Sequence, residues 1–189
     1  MRLTAKAATA EEVDAVLDAE VALVAKVLGD SVFTLDDESM EEVVLRLCAE
    51  QGLTLGTAES ITGGLIASRL TDVPGASSVF RGGVVSYASE VKYDVLGVPQ
   101  GPVVSDEAAE AMAEGACRVL GCDVAVAVTG VAGPDPQEGN PPGTVYLASV
   151  VDGEAVSIMV RLPGDRQRVR QFSCISALDL LRRRLVARG

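Results

Sequence analysis

Histidine is absent from all 189 residues. That gap removes every Ser-His-Asp and Cys-His arrangement within the chain, and histidine zinc sites with them. Tryptophan is absent too, and Tyr and Phe number 3 each, so no wide aromatic platform for stacking single strands is expected. Cysteine is sparse: Cys48, Cys117, Cys122 and Cys174 form no C-x-x-C pair. The reading they leave is a reduced, cytoplasmic protein with buried free thiols. No apolar run reaches about 18 residues, so no membrane partner is expected. Residues 1–14 lack the apolar stretch of a signal peptide. Lysine is scarce as well. Of 16 basic residues only Lys6, Lys26 and Lys92 are lysines. Only lysine among these cations can readily become a neutral amine near pH 7, and Lys92 is the one lysine after residue 26.

What remains is an ordinary globular composition, 48% hydrophobic and 23% charged, with a net charge of -11. Such a chain does not track a phosphate backbone, and nucleic acid is not an expected partner. Charge is segregated, however. The segment after residue 160 carries eight arginines against Asp165 and Asp179, a balance of +6, which leaves -17 on the first 160 residues. A solvated helix face, a contact with an acidic surface, or one or two arginines meeting a small anion would each explain it.

Periodicity predicts an α/β sandwich with a mixed sheet and a small N-terminal strand-helix appendage. A short strand is expected over 1–8 and a helix over 10–28, closed by Gly29. This first segment, 1–35, is too small to hold its own core. It must pack on the rest or on another chain, and a homo-oligomer is expected. The body, 36–189, opens with the capping-box pattern Ser39 to Glu42. Strands are expected over 53–58, 83–88, 123–129, 145–151 and 154–162, and helices over 65–70, 90–96, 105–120 and 165–187. The run DVAVAVT suggests a strand buried on both faces, and Asp152-Gly153 marks a hairpin. Residues 130–143 form a long Gly/Pro-rich loop, expected to be a mobile lid.

Three constellations could carry chemistry. In TAESITGG a strand runs into a turn holding Ser60, followed by Gly63, Gly64 and a helix. Ser60 could cap that helix, help bind an anion, or attack a carbonyl while helix N-terminal amides hold the oxyanion. A serine nucleophile needs a base, and without histidine the choices are lysine, a carboxylate or tyrosine. Lys92 is the available lysine, and Tyr87 could share a proton network with it. Ser89-x-x-Lys92 also fits an S-x-x-K spacing, but its usual companions are missing, and Ser89 reads as a helix cap. The third constellation, Thr129-Gly130-Val131-Ala132-Gly133-Pro134, follows a buried strand at the end where open α/β sheets place ligands.

AESITGG, SYASEVK with LGV, VSDEAAEAMAEGA, AVTGVAGP, GTVYLA and LPGDR occur in this order. Together they resemble the CinA C-terminal domain family, a bacterial family that includes nicotinamide mononucleotide deamidase. The resemblance covers residues 36–189. Residues 1–35 are similar to the tail of the family's linker region, and its large molybdopterin-binding-like N-terminal domain has no counterpart in these residues. The resemblance implies a cytoplasmic amidohydrolase of pyridine nucleotide salvage with a Ser-Lys dyad. It would turn nicotinamide mononucleotide into nicotinic acid mononucleotide and ammonia. Ser60 matches the nucleophile and Tyr87 and Lys92 match the family's Tyr and Lys. Thr62, Gly63, Gly64, Thr129, Gly130 and Gly133 match its substrate-binding turns. Arg166 is the candidate for the phosphate. No metal and no cofactor are called for. Two positions depart from the pattern: Ile61 stands where Cys is common, and Ser89 where Asn is common. The competing reading is a non-catalytic nucleotide-binding or competence-associated regulatory module.

Overall fold

The computed structural model describes residues 3–189. The chain divides into two units, one reaching to Glu38 and the other spanning Ser39–Gly189. In the first, helix α1 (Ala10–Leu28) opens on a capping box. The Thr9 hydroxyl accepts from Glu12 N–H, and the Glu12 carboxylate accepts from Thr9 N–H. Gly29, at φ +51°, closes it. No residue of α1 is buried. Its apolar stripe, with Leu17, Val21 and Val24, lines a shallow groove together with Phe33. The strand expected over 1–8 does not form across residues 3–8; Met1 and Arg2 lie outside the described residues. A strand needs a partner edge for its N–H and C=O groups, and no described strand pairs with this segment.

The second unit is a five-stranded mixed sheet between helical layers, in the order β2-β1-β3-β4-β5. The strands are β1 (Leu55–Glu59), β2 (Phe80–Val85), β3 (Val124–Gly130), β4 (Thr144–Val151) and β5 (Glu154–Arg161). β1 runs parallel to both β2 and β3, whereas β3-β4-β5 is an antiparallel meander. The helices are α2 (Met40–Glu50), α3 (Leu65–Thr71), α4 (Ser89–Asp94), α5 (Asp106–Leu120) and α6 (Arg166–Arg188). The capping box at Ser39 forms as the sequence predicts, and Ser105 caps α5 by accepting from Ala108 N–H. Ser89 does not cap α4: it is the first helical residue, and Ala88 holds the cap position without a side-chain bond. The second strand also sits earlier than expected, leaving Ser86 to Ala88 as the link to α4.

β3 explains how the layers differ. Its valines, Val124, Val126 and Val128, enter the larger core beneath α2 and α6, with Leu178, Leu181 and Leu185. Its alanines, Ala125 and Ala127, face α5, whose own contact residues are Ala109, Met112, Ala113 and Ala116. Small against small lets α5 lie close to the sheet. It also lets Gly115 press on the chain just after α4, where an added Cβ would sit 2.2 Å from the Leu96 carbonyl oxygen. That carbonyl also accepts from Arg118.

Three of the four free cysteines are buried and Cys117 is half-buried. Burial, then the charge of Asp123, pushes the Cys48 thiol up to about 12. The arginine-rich end is consumed mostly within the fold. Arg182 and Arg183 pair with Asp179, Arg188 with Asp152, and Arg184 holds the Ser149 carbonyl. No described helix is long and apolar enough to cross a membrane.

Replacing a helical glycine by alanine ordinarily stabilises by about 0.5–1 kcal/mol. At Gly115 the collision with backbone reverses the sign. Gly115→Ala should lower unfolding stability by about 1–3 kcal/mol, the usual cost of overpacking, read from the urea midpoint. A midpoint at or above wild type would show that α5 does not depend on this approach.

Candidate active site

The three parallel strands end on one side of the sheet. β1 ends into Ser60, β2 into Ser86 and Tyr87, and β3 into Gly130. A pocket of about 370 Å³ opens there. Ser60, Tyr87, Lys92, Thr129, Gly130, Gly133 and Arg166 all line it. Thr62, Gly63 and Gly64 do not.

The turn around Ser60 is built by a carboxylate. Glu59 is fully buried, and its two oxygens accept from Gly64, Ile66 and Ala67 N–H at 3.0, 3.0 and 2.8 Å. Those donors are the orphan amides of α3's first turn. Gly63 N–H is also occupied, donating to the Ser60 carbonyl. The expectation that the glycine turn offers free amides to an oxyanion is therefore corrected at Gly63 and Gly64: their N–H groups already have acceptors. Gly64, at φ +93°, serves to bend the chain into α3. Thr62 is fully buried.

Arg170, on α6, closes the turn from the opposite side. Its guanidinium donates to the carbonyls of Ile61 and Thr62 at 3.1 and 2.7 Å. Sequence reading missed this residue because its partners lie 109 and 108 positions away. Ser60 itself is half-buried, and its N–H donates to Val128 O of the neighbouring strand.

Main-chain donors on the pocket side come from elsewhere. Val131 N–H donates to Thr144 O in the β3-β4 ladder. Alternation then turns the Gly130 N–H away from β4, toward the side where β1 has already ended. Ile61, next to Ser60, also lines the pocket.

Lys92 is 2% exposed, and its Nζ donates to the Ser86 carbonyl at 2.9 Å. Burial holds its ammonium below the usual lysine range, while the charges of Glu138 and Glu90 pull the other way. Tyr87 does not join Lys92. Its hydroxyl accepts from Arg166 at 2.8 Å, and Arg166 also donates to the Gly133 carbonyl at 2.9 Å. Both acceptors are neutral, so these two bonds do not compensate the Arg166 charge, which lies on the pocket lining. Thr129 lines the wall, but its hydroxyl donates to Val103 O at 2.6 Å; it braces the wall. The loop over 131–143 lines one side of the pocket through Val131 to Gln137. Among the described residues no group of three or more Cys, Asp or Glu gathers as a metal site.

The profile of the CinA C-terminal domain family matches residues 37–185. The chain belongs to this family. A CinA-like protein from Frankia casuarinae is 47% identical over 190 residues, covering 98% of this chain and 44% of the relative. One from Geobacter sulfurreducens is 45% identical over 193 residues, covering 98% and 46%. The chain thus spans less than half the length of these CinA-like relatives. Among solved structures, a CinA superfamily protein from Klebsiella pneumoniae is similar, with a TM-score of 0.75 and 31% identity, covering 79% of this chain and 99% of that one. A competence/damage inducible protein from Agrobacterium tumefaciens superposes with a TM-score of 0.71 at 35% identity, covering 81% and 99%.

Glu59→Gln leaves one oxygen acceptor where two served three amides and the Thr57 hydroxyl, and turns an amide NH₂ toward an N–H. It should lower unfolding stability by about 2 kcal/mol, since a bond to a charged group contributes about 1.5–3 kcal/mol. Urea denaturation checks it; an unmoved midpoint would mean that another contact holds the Ser60 turn.

Proposed function

We propose that the pocket is an amidohydrolase site and that the chain deamidates nicotinamide mononucleotide to nicotinic acid mononucleotide and ammonia. One observation carries the reading. A serine at the end of β1 and a desolvated lysine line the same pocket in a chain that has no histidine. The family resemblance of the Ser60, Tyr87 and Lys92 motifs supports the substrate.

Neutral Lys92 takes the proton of the Ser60 hydroxyl as the oxygen bonds to the amide carbon. The carbonyl electron pair moves onto oxygen, and the main-chain N–H groups of Gly130 and Ile61 receive the oxyanion. Its collapse breaks the C–N bond, and Lys92 returns the proton to nitrogen as ammonia leaves. Water then attacks the acyl-enzyme, giving a proton to Lys92. The ester C–O bond breaks, and Ser60 regains its proton. The positive pyridinium withdraws electrons from the amide and, beside Lys92, disfavours a second positive charge there. At the rim, Arg166, oriented by Tyr87 and the Gly133 carbonyl, takes the phosphate.

Ser60→Ala should end ammonia release from nicotinamide mononucleotide while calorimetry still detects binding. Lys92→Arg keeps the charge but cannot deprotonate, so it should be as inactive as Lys92→Ala. If it retains more than about a tenth of the rate, a barrier change under about 1.4 kcal/mol, Lys92 is not the base. The pH profile has a definite sign. The active form is the neutral amine, so kcat/KM rises with pH and levels off below the usual lysine range, because burial lowers the Lys92 pKa. Wild-type protein that binds the mononucleotide and releases no ammonia would favour the regulatory-module reading.

A further inference from the structure

The pocket loop carries a residue out of place by its own backbone. Gln137 and Asn140 pair through both main-chain bonds, so Glu138 and Gly139 form the two-residue tip of a tight hairpin. Both have positive φ, +51° and +77°. Such a tip suits Asn, Asp or Gly, and a glutamate there is disfavoured by its Cβ. A non-glycine residue held in this region implies that something else fixes it. That something is its carboxylate, which accepts from two successive main-chain N–H groups, Val103 and Val104, each at 2.9 Å. Two consecutive amides facing one anion form a small anion-binding concavity. Asn140 adds a bond to the Val104 carbonyl. Val103 and Val104 are themselves pocket wall.

We infer that Glu138 is both the latch that holds the 131–143 loop against the Val103–Val104 wall and, because Lys92 lines the pocket bounded by that wall, a positioning residue whose negative charge acts on the lysine from there. The two roles are one because the same carboxylate performs both. When it leaves the Val103–Val104 amides, the loop is released and its charge moves away from the pocket wall that Lys92 shares. The charge environment of Lys92 is otherwise set by Glu90 on its own helix, with Tyr87, Asp135 and Arg166 on the pocket wall. Removing Glu138 therefore leaves burial less opposed, and the lysine loses its proton at lower pH. A closed loop thus goes with a stronger proton acceptor. The catalytic consequence rests on the amidohydrolase reading; the latch and the titration do not.

Three lysines in the chain make the test direct. In a Lys6→Arg/Lys26→Arg background, ¹³C-labelled lysine reports Lys92 alone. Its titration by NMR is compared with that of Glu138→Gln, which keeps the side-chain shape without the charge, and Glu138→Gly. Glycine suits the positive φ, so this second variant guards against failure to fold. The Lys92 titration should move to lower pH in both. Exchange of the Val103 and Val104 amides should quicken in Glu138→Gly by about tenfold or more, as expected when a local tie is lost. An unmoved Lys92 titration overturns the positioning role, and unchanged exchange overturns the latch. Ammonia release is measured on the same samples. Its absence in wild type alongside a shifted titration supports the positioning role and refutes only the amidohydrolase reading. Ammonia release with an unmoved titration does the reverse.

Discussion

A buried carboxylate grips the start of α3, and the rest of the pocket depends on that grip. Glu59 ends β1 inside the sheet, where an uncompensated charge would be costly. It meets three amides of the helix's first turn, where the helix dipole is also favourable to an anion. The chain between Glu59 and these amides has little freedom left, and Ser60 is its first residue. Arg170 fixes the same turn from α6 through the carbonyls of Ile61 and Thr62. Two side chains, Glu59 and Arg170, thus tie the Gly64 amide and the Ile61 and Thr62 carbonyls. The turn is rigid because the Gly63 and Gly64 amides and the Ile61 and Thr62 carbonyls are occupied, and for the same reason Gly63 and Gly64 are poor donors to a ligand.

Lys92 is held by a different part of the molecule. The alanine face of β3 brings α5 close, and Gly115 then meets the Leu96 carbonyl. The chain after α4 is tied further by Val98 N–H on the Lys92 carbonyl and by Arg118 on Leu96. These contacts fix the short helix that carries the lysine. The absence of β-branched residues at the α5 contact positions therefore bears on the chemistry. Replacing Ala125 or Ala127 by valine would push α5 outward and away from the Leu96 carbonyl that Gly115 meets.

Much of this was legible in the residues. The Val-Ala alternation of β3 marks a strand covered on both faces, Ser39 and Glu42 announce a helix start, and Asp152-Gly153 announces a hairpin. Each is a local pattern with a local cause. The ordered motifs also brought Ser60, Tyr87, Lys92, Gly130 and Arg166 to attention, and the fold sets all five along one pocket. The failures share a cause as well. A strand at the N-terminus was read from composition without a partner edge. Ser89 was read as a cap because serine suits that position, yet α4 begins one residue sooner. Tyr87 was joined to Lys92 by closeness in sequence, whereas its hydroxyl meets Arg166, 79 residues away. Arg170 and Glu138 act on segments far from their own positions, and no spacing rule reaches that distance.

Two opposing influences act on the lysine, and their sources differ in mobility. Burial lowers its proton affinity and comes from the packed body of the fold. The opposing charge of Glu138 comes from a loop whose tip is held by two hydrogen bonds and a backbone conformation that glutamate disfavours. Packed elements change little without unfolding, whereas a loop tip can exchange states at a cost of a few kcal/mol. In the proposed reaction the base therefore has a constant desolvation and an adjustable electrostatic correction. A lysine with no adjustable neighbour would have one proton affinity for binding, attack and product release. Here the correction belongs to a loop that lines the pocket, so the proposed latch would set proton affinity and access to the pocket together.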